Sequence, residues 1–350
     1  MSPTHGRRDP EPHAYDAVLI LSFGGPERDE DVIPFLEKVT AGRGVPRERL
    51  EEVAHHYLLF GGVSPINEQN RALIQSLEDL LDAEGPRLPV YWGNRNWHPL
   101  IEDAMARMAK DGIRRAIAFV TSAFSSYSAC RQYHEDIARA RSAVGDNAPI
   151  VDKIRHFYNH PGFVEPQADK VRVALEAVPE PRREQARLVF TAHSVPMAMA
   201  QASDYVAQLE EACRLVVDRA APGSSWDLVY QSRSGAAHVP WLEPDICEHL
   251  EHVAGDGARD VVVVPIGFVS DHLEVRFDLD VEAAATAAEL GLNMVRAQTV
   301  GAHPAFVRMI RDLIVERMET TELRAVLGDR GPSHDICDPD CCAFRQDRSP

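Results

Sequence analysis

The stretch of sequence that decides the fold is VVVVPIGFVSDHLEVRFDLDVEAAA, residues 261–285. Four consecutive valines are typical of a buried β-strand, and Gly267 lies in the turn that follows them. The helical pattern after this turn places Glu274, Asp278 and Glu282 four residues apart, on one face of a helix. Because like charges at this spacing repel one another, the row of carboxylates either faces water or handles cations.

Strand-like runs alternate with helical patterns along the rest of the chain. This alternation predicts an α/β fold with two Rossmann-like domains, each a parallel four-stranded sheet flanked by helices. The predicted strands are residues 17–23, 88–92, 116–121, 150–154, 187–192, 226–230, 261–266 and 293–297. The predicted helices include residues 67–83, 99–111, 126–141, 204–218, 244–253, 271–290 and 304–318.

The two halves of the sequence resemble each other. AVLILSFGGP (17–26) is similar to RLVFTAHSVP (187–196), and IRRAIAFVTSAFSSYS (113–128) is similar to ARDVVVVPIGFVSDHL (258–273). We therefore expect a weak internal duplication, with ligands at the carboxyl ends of the strands. The predicted organisation is a disordered N-terminus (1–14), two domains (15–165 and 166–328) divided in a loop-rich stretch near 161–181, and a cysteine-containing tail (329–350). The last helix of the second domain can cross back over the first.

Composition excludes several classes of partner. The formal net charge of −17 argues against nucleic acid or an anionic membrane as a standing partner. No apolar run approaches the ~18 residues that a transmembrane helix needs, and the first residues lack the apolar core of a signal peptide. We expect a cytoplasmic protein without integral membrane association, and the charge favours a monomer.

His193 follows an apolar strand, at the position where reactive side chains collect in α/β folds. Its neutral imidazole can accept protons near neutral pH. Asp271 with Glu274 three residues later forms a capping-box pattern, which would give Glu274 a purely structural role. That role leaves Asp278, Glu282 and His272 unexplained, so the pattern favours a metal or proton function for the row.

Cys337, Cys341 and Cys342 are clustered within a short tail segment. Structural disulfides are rare in cytosolic proteins, and sulfur-ligated metal sites usually need four ligands. The fourth ligand is either His334, which would give a zinc site, or a cysteine of the body such as Cys130, which would suit an iron–sulfur site. A tail without metal is the third alternative.

Several further residues are candidates for ligand contact. Residues 91–99, YWGNRNWHP, and Trp241 offer flat aromatic surfaces, which form either a core corner or the wall of a site for a flat ligand. Ser64 follows two glycines and can donate a hydrogen bond to an anion. Neither of the common nucleotide-binding glycine motifs is present in the sequence.

Taken together, LSFGGPE, GGVSPIN, TSAFSSYS, FTAHSVP, YQSR, PWLEP and GFVSDHLEVRFDLDVE resemble the ferrochelatase family, whose members insert Fe²⁺ into a porphyrin. The resemblance implies a chelatase-type fold with the porphyrin held between two domains. It also implies that His193 and Glu274 are the catalytic and Fe²⁺-contacting pair, that Asp271 and His272 support them, and that an acidic track continues through two further carboxylates. These are Asp278 and Glu282.

The resemblance carries further implications. Ser64 corresponds to a residue near a porphyrin propionate, and Phe23 stands where some bacterial relatives have a tyrosine that ligates haem iron. The tail resembles that of family members in which one internal and three C-terminal cysteines bind a [2Fe–2S] cluster. The matching cysteines are Cys130, Cys337, Cys341 and Cys342.

The charged stretch 34–57, with Arg43, Arg47 and Arg49, suits a porphyrin with four propionates rather than two. We therefore expect coproporphyrin III as substrate, giving Fe-coproporphyrin for the next enzyme of the heme pathway, with porphyrin contacts from Phe23, Ser64, Arg43 and Trp241. The alternatives are protoporphyrin IX insertion giving protoheme, a cobalt or nickel chelatase of the same fold, and a non-catalytic tetrapyrrole or metal carrier.

Overall fold

The computed structural model describes residues 14–42, 44–235, 238–319, 323–338 and 340–344. Within them the strands are β1 (Ala17–Ser22), β2 (Val90–Asn94), β3 (Arg115–Val120), β4 (Ile150–Lys153), β5 (Arg187–His193), β6 (Trp226–Gln231), β7 (Asp260–Val264) and β8 (Asn293–Arg296). The helices are α1 (Asp29–Val39), α2 (Arg47–Leu58), α3 (Ile66–Glu84), α4 (Ile101–Lys110), α5 (Gln132–Val144), α6 (Pro161–Glu176), α7 (Met197–Gln201), α8 (Tyr205–Ala220), α9 (Ile246–Gly255), α10 (Leu273–Phe277), α11 (Ala284–Glu289) and α12 (Pro304–Glu319). A 3-10 turn (Glu180–Gln185) precedes β5, and π-helical turns precede α5 (Tyr127–Arg131) and join α10 to α11 (Asp278–Ala283).

The strands form two parallel sheets with the same order, β2-β1-β3-β4 and β6-β5-β7-β8. All eight predicted strands are confirmed, with ends shifted by two residues at most, and the predicted fold class is confirmed. The central strands β1 and β7 are buried along their whole length. Strands covered on both faces need continuous apolar runs, which explains why they were readable in the sequence.

Helices cover both faces of each sheet. α4 and α5 pack on the outer face of the first sheet, and α9 and α11 on the outer face of the second. One continuous apolar core joins the inner faces of the two sheets. In this core α12 crosses back to the first half, where the Phe306 ring contacts those of Phe119 and Phe163.

Residues 161–176 form helix α6, so the prediction of a loop-rich stretch over 161–181 is wrong for this part. Its prolines misled the prediction, although Pro161 occupies the first helical position, where no backbone N–H is needed. The His160 imidazole accepts a hydrogen bond from Gly162 N, and Phe163 is fully buried. The predicted division at 165/166 falls inside this helix and stays a prediction, and residues 1–13 of the predicted disordered N-terminus lie outside the described residues.

Candidate active site

His193 and Glu274 lie opposite each other at the carboxyl ends of neighbouring strands. His193 ends β5, and Glu274 lies in the first turn of α10, after β7. The His193 Nε2 atom is 3.6 Å from Glu274 Oε2, and the two side chains are 36% and 47% exposed. Gly267 makes this approach possible, because a Cβ there would lie 2.7 Å from the Cα of Ala192. Their exposure leaves both side chains accessible to a ligand.

The hydrogen bonds of His193 fix its tautomer. Nδ1 lies 2.5 Å from the carbonyl oxygen of Ser194, and because a carbonyl only accepts, Nδ1 carries the hydrogen. The Tyr205 hydroxyl donates to the His193 carbonyl oxygen at 3.0 Å and holds the backbone at this point. In the neutral imidazole, Nε2 thus presents a lone pair toward Glu274, as a proton acceptor or metal ligand must.

His272, not Asp271, caps α10. The His272 Nδ1 atom accepts a hydrogen bond from Val275 N at 3.4 Å, so the predicted capping box at Asp271 is wrong. Asp271 is drawn away from this role because its carboxylate pairs with Arg296 at 3.2 Å and its backbone N–H donates to Gln69. Burial lowers the pKa of His272, and its Nε2 carries the hydrogen.

The acidic row continues from Glu274 across the π-helical turn Asp278–Ala283. Asp278 accepts hydrogen bonds from the Ser232 hydroxyl and from Gln231 Nε2. Burial, supplemented by the charges of Glu274 and Glu282, raises the pKa of Asp278 to about 7 despite these hydrogen bonds. Burial also raises the pKa of Glu282, which is the exposed end of the row. The row can therefore hold and release protons near neutral pH.

Helix α2 closes one side of the site. Its apolar positions include Tyr57, which packs in a cluster with Leu273 of α10, and the His56 ring stacks on Phe277 with centroids 3.8 Å apart. Burial raises the pKa of Tyr57 well above its usual value, with Glu274 and Asp278 adding to the effect. The sequence pattern of residues 34–57 indicated only a charged surface, and neither the helix nor the role of Tyr57 was predicted.

The predicted porphyrin contacts differ in exposure. Phe23 follows β1, is 37% exposed and lies edge-on to Phe35. Trp241 is half-buried. Ser64 is only 4% exposed because it packs against Gly25, where a Cβ would lie 2.7 Å from that of Ser64. Arg43 lies outside the described residues.

The four predicted cluster cysteines lie together, at some remove in the fold from the acidic row. Cys130, in the π-helical turn Tyr127–Arg131, has its Sγ 3.8 Å from that of Cys337, and Cys341 Sγ is 3.8 Å from Cys342 Sγ. The Cys130 thiol also interacts electrostatically with that of Cys342, and the Cys337 thiol with that of Cys341. Interactions among the thiols lower the pKa of Cys130 and of Cys341. His334 Nε2 lies 3.7 Å from Cys341 Sγ.

Buried ion pairs hold the tail against the body of the protein. Arg155 forms a bidentate ion pair with Glu316 of α12. Arg324 forms ion pairs with both Glu316 and Asp335, and Asp335 precedes the cysteines in the chain. Asn159 donates to the carbonyl of a tail residue, Gly331, at 2.9 Å. These contacts hold the tail segment that leads to the three cysteines against the body of the protein.

The sulfur atoms of Cys130, Cys337, Cys341 and Cys342, called the sulfur group below, have an arrangement that is compatible with a site for two metal ions. A [2Fe–2S] cluster takes four thiolates, two on each iron, and the sulfur atoms form two close pairs. A cavity of about 300 Å³ lies beside them, lined by Cys130, Cys337, Cys341 and His134, among others. Smaller sets, such as His334 with Cys337 and Cys341, have their ligand atoms within 4.8 Å of one another and could hold a single ion.

The sequence model of the ferrochelatase family matches residues 15–318. The chain belongs to the ferrochelatase family. Its relatives include the coproporphyrin III ferrochelatase of Streptomyces griseus, which is 54% identical over 359 residues, with 97% of this chain and 95% of the relative covered. The ferrochelatase of Rhodopirellula baltica is 52% identical, with 96% and 95% covered, and the coproporphyrin III ferrochelatase of Nocardia farcinica is 54% identical, with 94% and 97% covered.

Solved structures share the fold. SirB of Bacillus subtilis with Fe³⁺ aligns with a TM-score of 0.57 at 11% identity, over 89% of this chain and 99% of that one. At this identity the likeness supports the two-sheet chelatase architecture alone. None of the described helices is both long and apolar enough to span a membrane.

The ferrochelatase-family scaffold thus brings together most of the residues singled out in the sequence. His193 lies beside Glu274, Asp278 lies within electrostatic range of Glu274 and Glu282, and the four cysteines meet. Sequence reasoning missed Lys153, whose ammonium contacts Cys130. The sequence signal that could have identified it is a lysine at the end of an apolar strand.

Proposed function

We propose that the protein inserts Fe²⁺ into coproporphyrin III and releases Fe-coproporphyrin III. The observation that carries this proposal is the placement of the His193 Nε2 lone pair 3.6 Å from a Glu274 carboxylate oxygen, at the head of a row of carboxylates. Metallation must remove two pyrrole protons and accept a dehydrated cation, and this arrangement offers a base and oxygen ligands side by side.

His193 acts as the acceptor of pyrrole protons, since its Nε2 is unprotonated in the neutral tautomer. Glu274 contacts Fe²⁺, and its negative charge stabilises the His193 imidazolium as that cation forms. Imidazole and carboxylate ligands bind Fe²⁺ weakly enough to pass it on to the four nitrogen atoms of a macrocycle. Iron is here the substrate of the reaction.

Asp278 and Glu282 carry protons or ions between Glu274 and the surface. With a pKa of about 7, Asp278 is half-ionised at neutral pH, so it can alternate between accepting and donating a proton. Ser232 and Gln231 stabilise its ionised form by donating hydrogen bonds. Insertion should therefore become faster as the pH rises through 7, until iron hydrolysis intervenes.

The choice of coproporphyrin rests on the names of relatives more than 50% identical to this chain and on the charged surface of α1 and α2. Arg47 and Arg49 lie on α2, paired with glutamates of the same surface while largely exposed. Exposed pairs of this kind contribute at most about 1 kcal/mol, so each arginine can exchange its partner for a propionate. Phe23, Trp241 and Ser64 are proposed to border the macrocycle.

The test compares iron insertion into coproporphyrin III and protoporphyrin IX, followed anaerobically by loss of porphyrin fluorescence. We expect kcat/KM for coproporphyrin to be higher by about tenfold or more, as two additional charge-assisted contacts would provide. Cobalt and nickel are offered in parallel. A preference for protoporphyrin, or for either other metal, would contradict the proposal. A His193→Ala variant that binds porphyrin but does not metallate it excludes a passive carrier.

We also propose that Cys130, Cys337, Cys341 and Cys342 hold a [2Fe–2S] cluster. The two close sulfur pairs support two iron positions, and the cavity beside them leaves space for a group larger than a single ion. A zinc site with His334 would use only part of the cysteine set. When bound, such a cluster supplies a one-electron centre, which iron insertion itself does not need. Iron, zinc and acid-labile sulfide analysis of anaerobically purified protein tests this assignment. Zinc without sulfide would overturn it.

A further inference from the structure

Lys153 is a buried lysine whose ammonium group faces the sulfur atoms. It is the last residue of β4 and only 7% exposed. Its Nζ atom lies 3.0 Å from Cys130 Sγ and 3.4 Å from the Cys130 carbonyl oxygen. Among the described residues, no carboxylate oxygen lies within the 4.0 Å ion-pair distance of this nitrogen. Burying a cation without a counter-charge costs several kcal/mol, so the surroundings of Lys153 must supply negative charge.

The sulfur group is the source of negative charge that contacts this ammonium. Four thiolates on an oxidised two-iron core leave the whole unit negatively charged, and reduction adds one more electron. A cation in contact with one of the thiolates therefore interacts more strongly with the reduced unit than with the oxidised one. Because Lys153 is buried, salt screens this interaction weakly.

The sheet, and not the tail, positions this charge. Lys153 pairs with Ala118 in the parallel register of β3 and β4, so its backbone belongs to the rigid first sheet. Its partner Cys130 follows β3 within the same half of the protein. The backbone that carries the ammonium is therefore held by the sheet and not by the tail residues Cys337, Cys341 and Cys342.

We propose that Lys153 is the counter-ion of the cluster and raises its reduction potential. This inference rests on the proposed [2Fe–2S] assignment and deepens it. The ammonium stabilises the extra negative charge of the reduced state, and its hydrogen bond to Cys130 Sγ acts in the same direction, since hydrogen bonds to sulfur tune the potentials of such clusters. The His134 and His156 side chains also influence the Cys130 thiol, and they are unchanged in the variants below.

The test uses the full-length protein, loaded with cluster under anaerobic conditions, as the original sequence and as the variants Lys153→Met, Lys153→Arg and Arg131→Gln. Arg131 is the matched control, because it lines the cavity beside Cys130 but is 34% exposed and paired with Glu135 at 3.1 Å. Iron and sulfide content, far-ultraviolet circular dichroism and a spectroscopic redox titration are measured for each protein.

We expect Lys153→Met to lower the equilibrium constant for one-electron reduction about tenfold or more, which is ~59 mV toward negative potential. Lys153→Arg should stay close to the original protein, and Arg131→Gln should shift less than Lys153→Met. If Lys153→Met folds but loads no cluster, the behaviour of Lys153→Arg decides the outcome. Cluster loading by Lys153→Arg would support the requirement for a positive charge, and failure of both variants to load the cluster would overturn that requirement. An unchanged potential in fully loaded Lys153→Met overturns the role of Lys153 and leaves the cluster standing. Absence of iron and sulfide from the original protein overturns the cluster as well.

Discussion

The two sheets have the same strand order, yet the turns at their carboxyl ends carry different chemistry. Phe23 follows β1 and His193 ends the equivalent strand β5, so one position holds an apolar ring and the other a base. The segment after β3 leads into a π-helical turn that holds Cys130, and the segment after β7 leads through α10 into one that holds Asp278. The two similarly ordered sheets therefore supply two equivalent positions, and a few side chains at strand ends decide what each one does.

The two π-helical turns are also held in different ways. In the first half the buried Arg95 donates to the Ser128 carbonyl and pairs with Asp136 at 2.6 Å. In the second half Arg296 pairs with Asp280 within the turn and with Asp271 in front of it. π-helical turns are rare and frequent at functional sites. Each one here is fixed by an arginine at a strand end, Arg95 directly after β2 and Arg296 at the end of β8.

Replacing the base at the end of β5 should give the largest effect. His193→Ala removes the acceptor for pyrrole protons, and we expect iron insertion to slow by about 10²–10⁴-fold. Phe23→Ala, at the equivalent position after β1, removes only a ring contact and should change the rate by less than about tenfold. Initial rates and melting temperatures of both variants check this. Equal losses of insertion rate in the two variants would mean that the two strand ends do not differ in function.

The buried arginine of the first half should matter mainly for stability. Arg95→Met leaves Asp136 buried with only its more exposed partner, and we expect the free energy of unfolding to fall by about 3 kcal/mol. Arg139→Met removes that other partner of the same carboxylate, 58% exposed, and should cost less than about 1 kcal/mol. Denaturant titrations of both variants measure the difference. Similar losses would mean that burial of Arg95 is unimportant.

The acidic row of the second half should reduce stability as the pH rises. The pKa of Asp278 is raised from 3.8 to about 7, so the unfolded chain releases this proton more readily, and stability present below pH 4 is lost as the pH rises to 7. An elevation of this size corresponds to ~4 kcal/mol, of which we expect roughly half, because Asp278 keeps part of its hydration. Asp278→Asn should therefore be more stable than the original protein at pH 8 and equal to it at pH 4.

Denaturant titrations of the two proteins at both pH values measure this difference. An advantage of Asp278→Asn that persists at pH 4 would point to packing and not to ionisation. The same variant should also lose the rise in insertion rate through pH 7.

The junction at Gly267 should also affect stability. Gly267 N donates to Thr191 O at 3.1 Å, and in the first half Thr121 makes the matching bond to Leu21 O at 2.9 Å. A side chain is tolerated at Thr121, whereas Gly267→Ala would press on Ala192 and should cost about 1–3 kcal/mol. It should also slow insertion by moving Glu274 relative to the base.

Gly255→Ala is the control for this variant, since a Cβ there meets no atom within 4 Å. It should be neutral or stabilising by up to about 1 kcal/mol. If Gly267→Ala matches it in melting temperature and rate, the close contact with Ala192 is relieved without consequence.

Local patterns predicted much of this fold from the sequence. The apolar runs gave all eight strands, and the rule that ligands bind at strand carboxyl ends singled out His193, which the resemblance to the ferrochelatase family paired with Glu274. The cap of α10 was wrong because its determinants are distant: Asp271 pairs with Arg296 and Gln69, which are 25 and 202 residues away along the chain. No local pattern contains that information.

Helices α2 and α6 were missed for opposite reasons. In α2 the apolar residues Leu50, Ala54 and Tyr57 have helical spacing, but numerous charges surround them. In α6 the prolines favoured a loop, whereas burial against the inner core decides the structure. The π-helical turns were not predicted, because an additional residue in a turn is selected by its partners across the site.

The sulfur group joins residues that the ribosome adds to the chain at very different times. Cys130 and Cys337 are 207 positions apart in the chain and 3.8 Å apart in space. During synthesis, both sheets and the His193–Glu274 pair can be complete while the sulfur group still lacks three of its four members. A cluster at this position would therefore report that translation has passed residue 342, and it can be inserted only into a chain that has already been synthesised to that point.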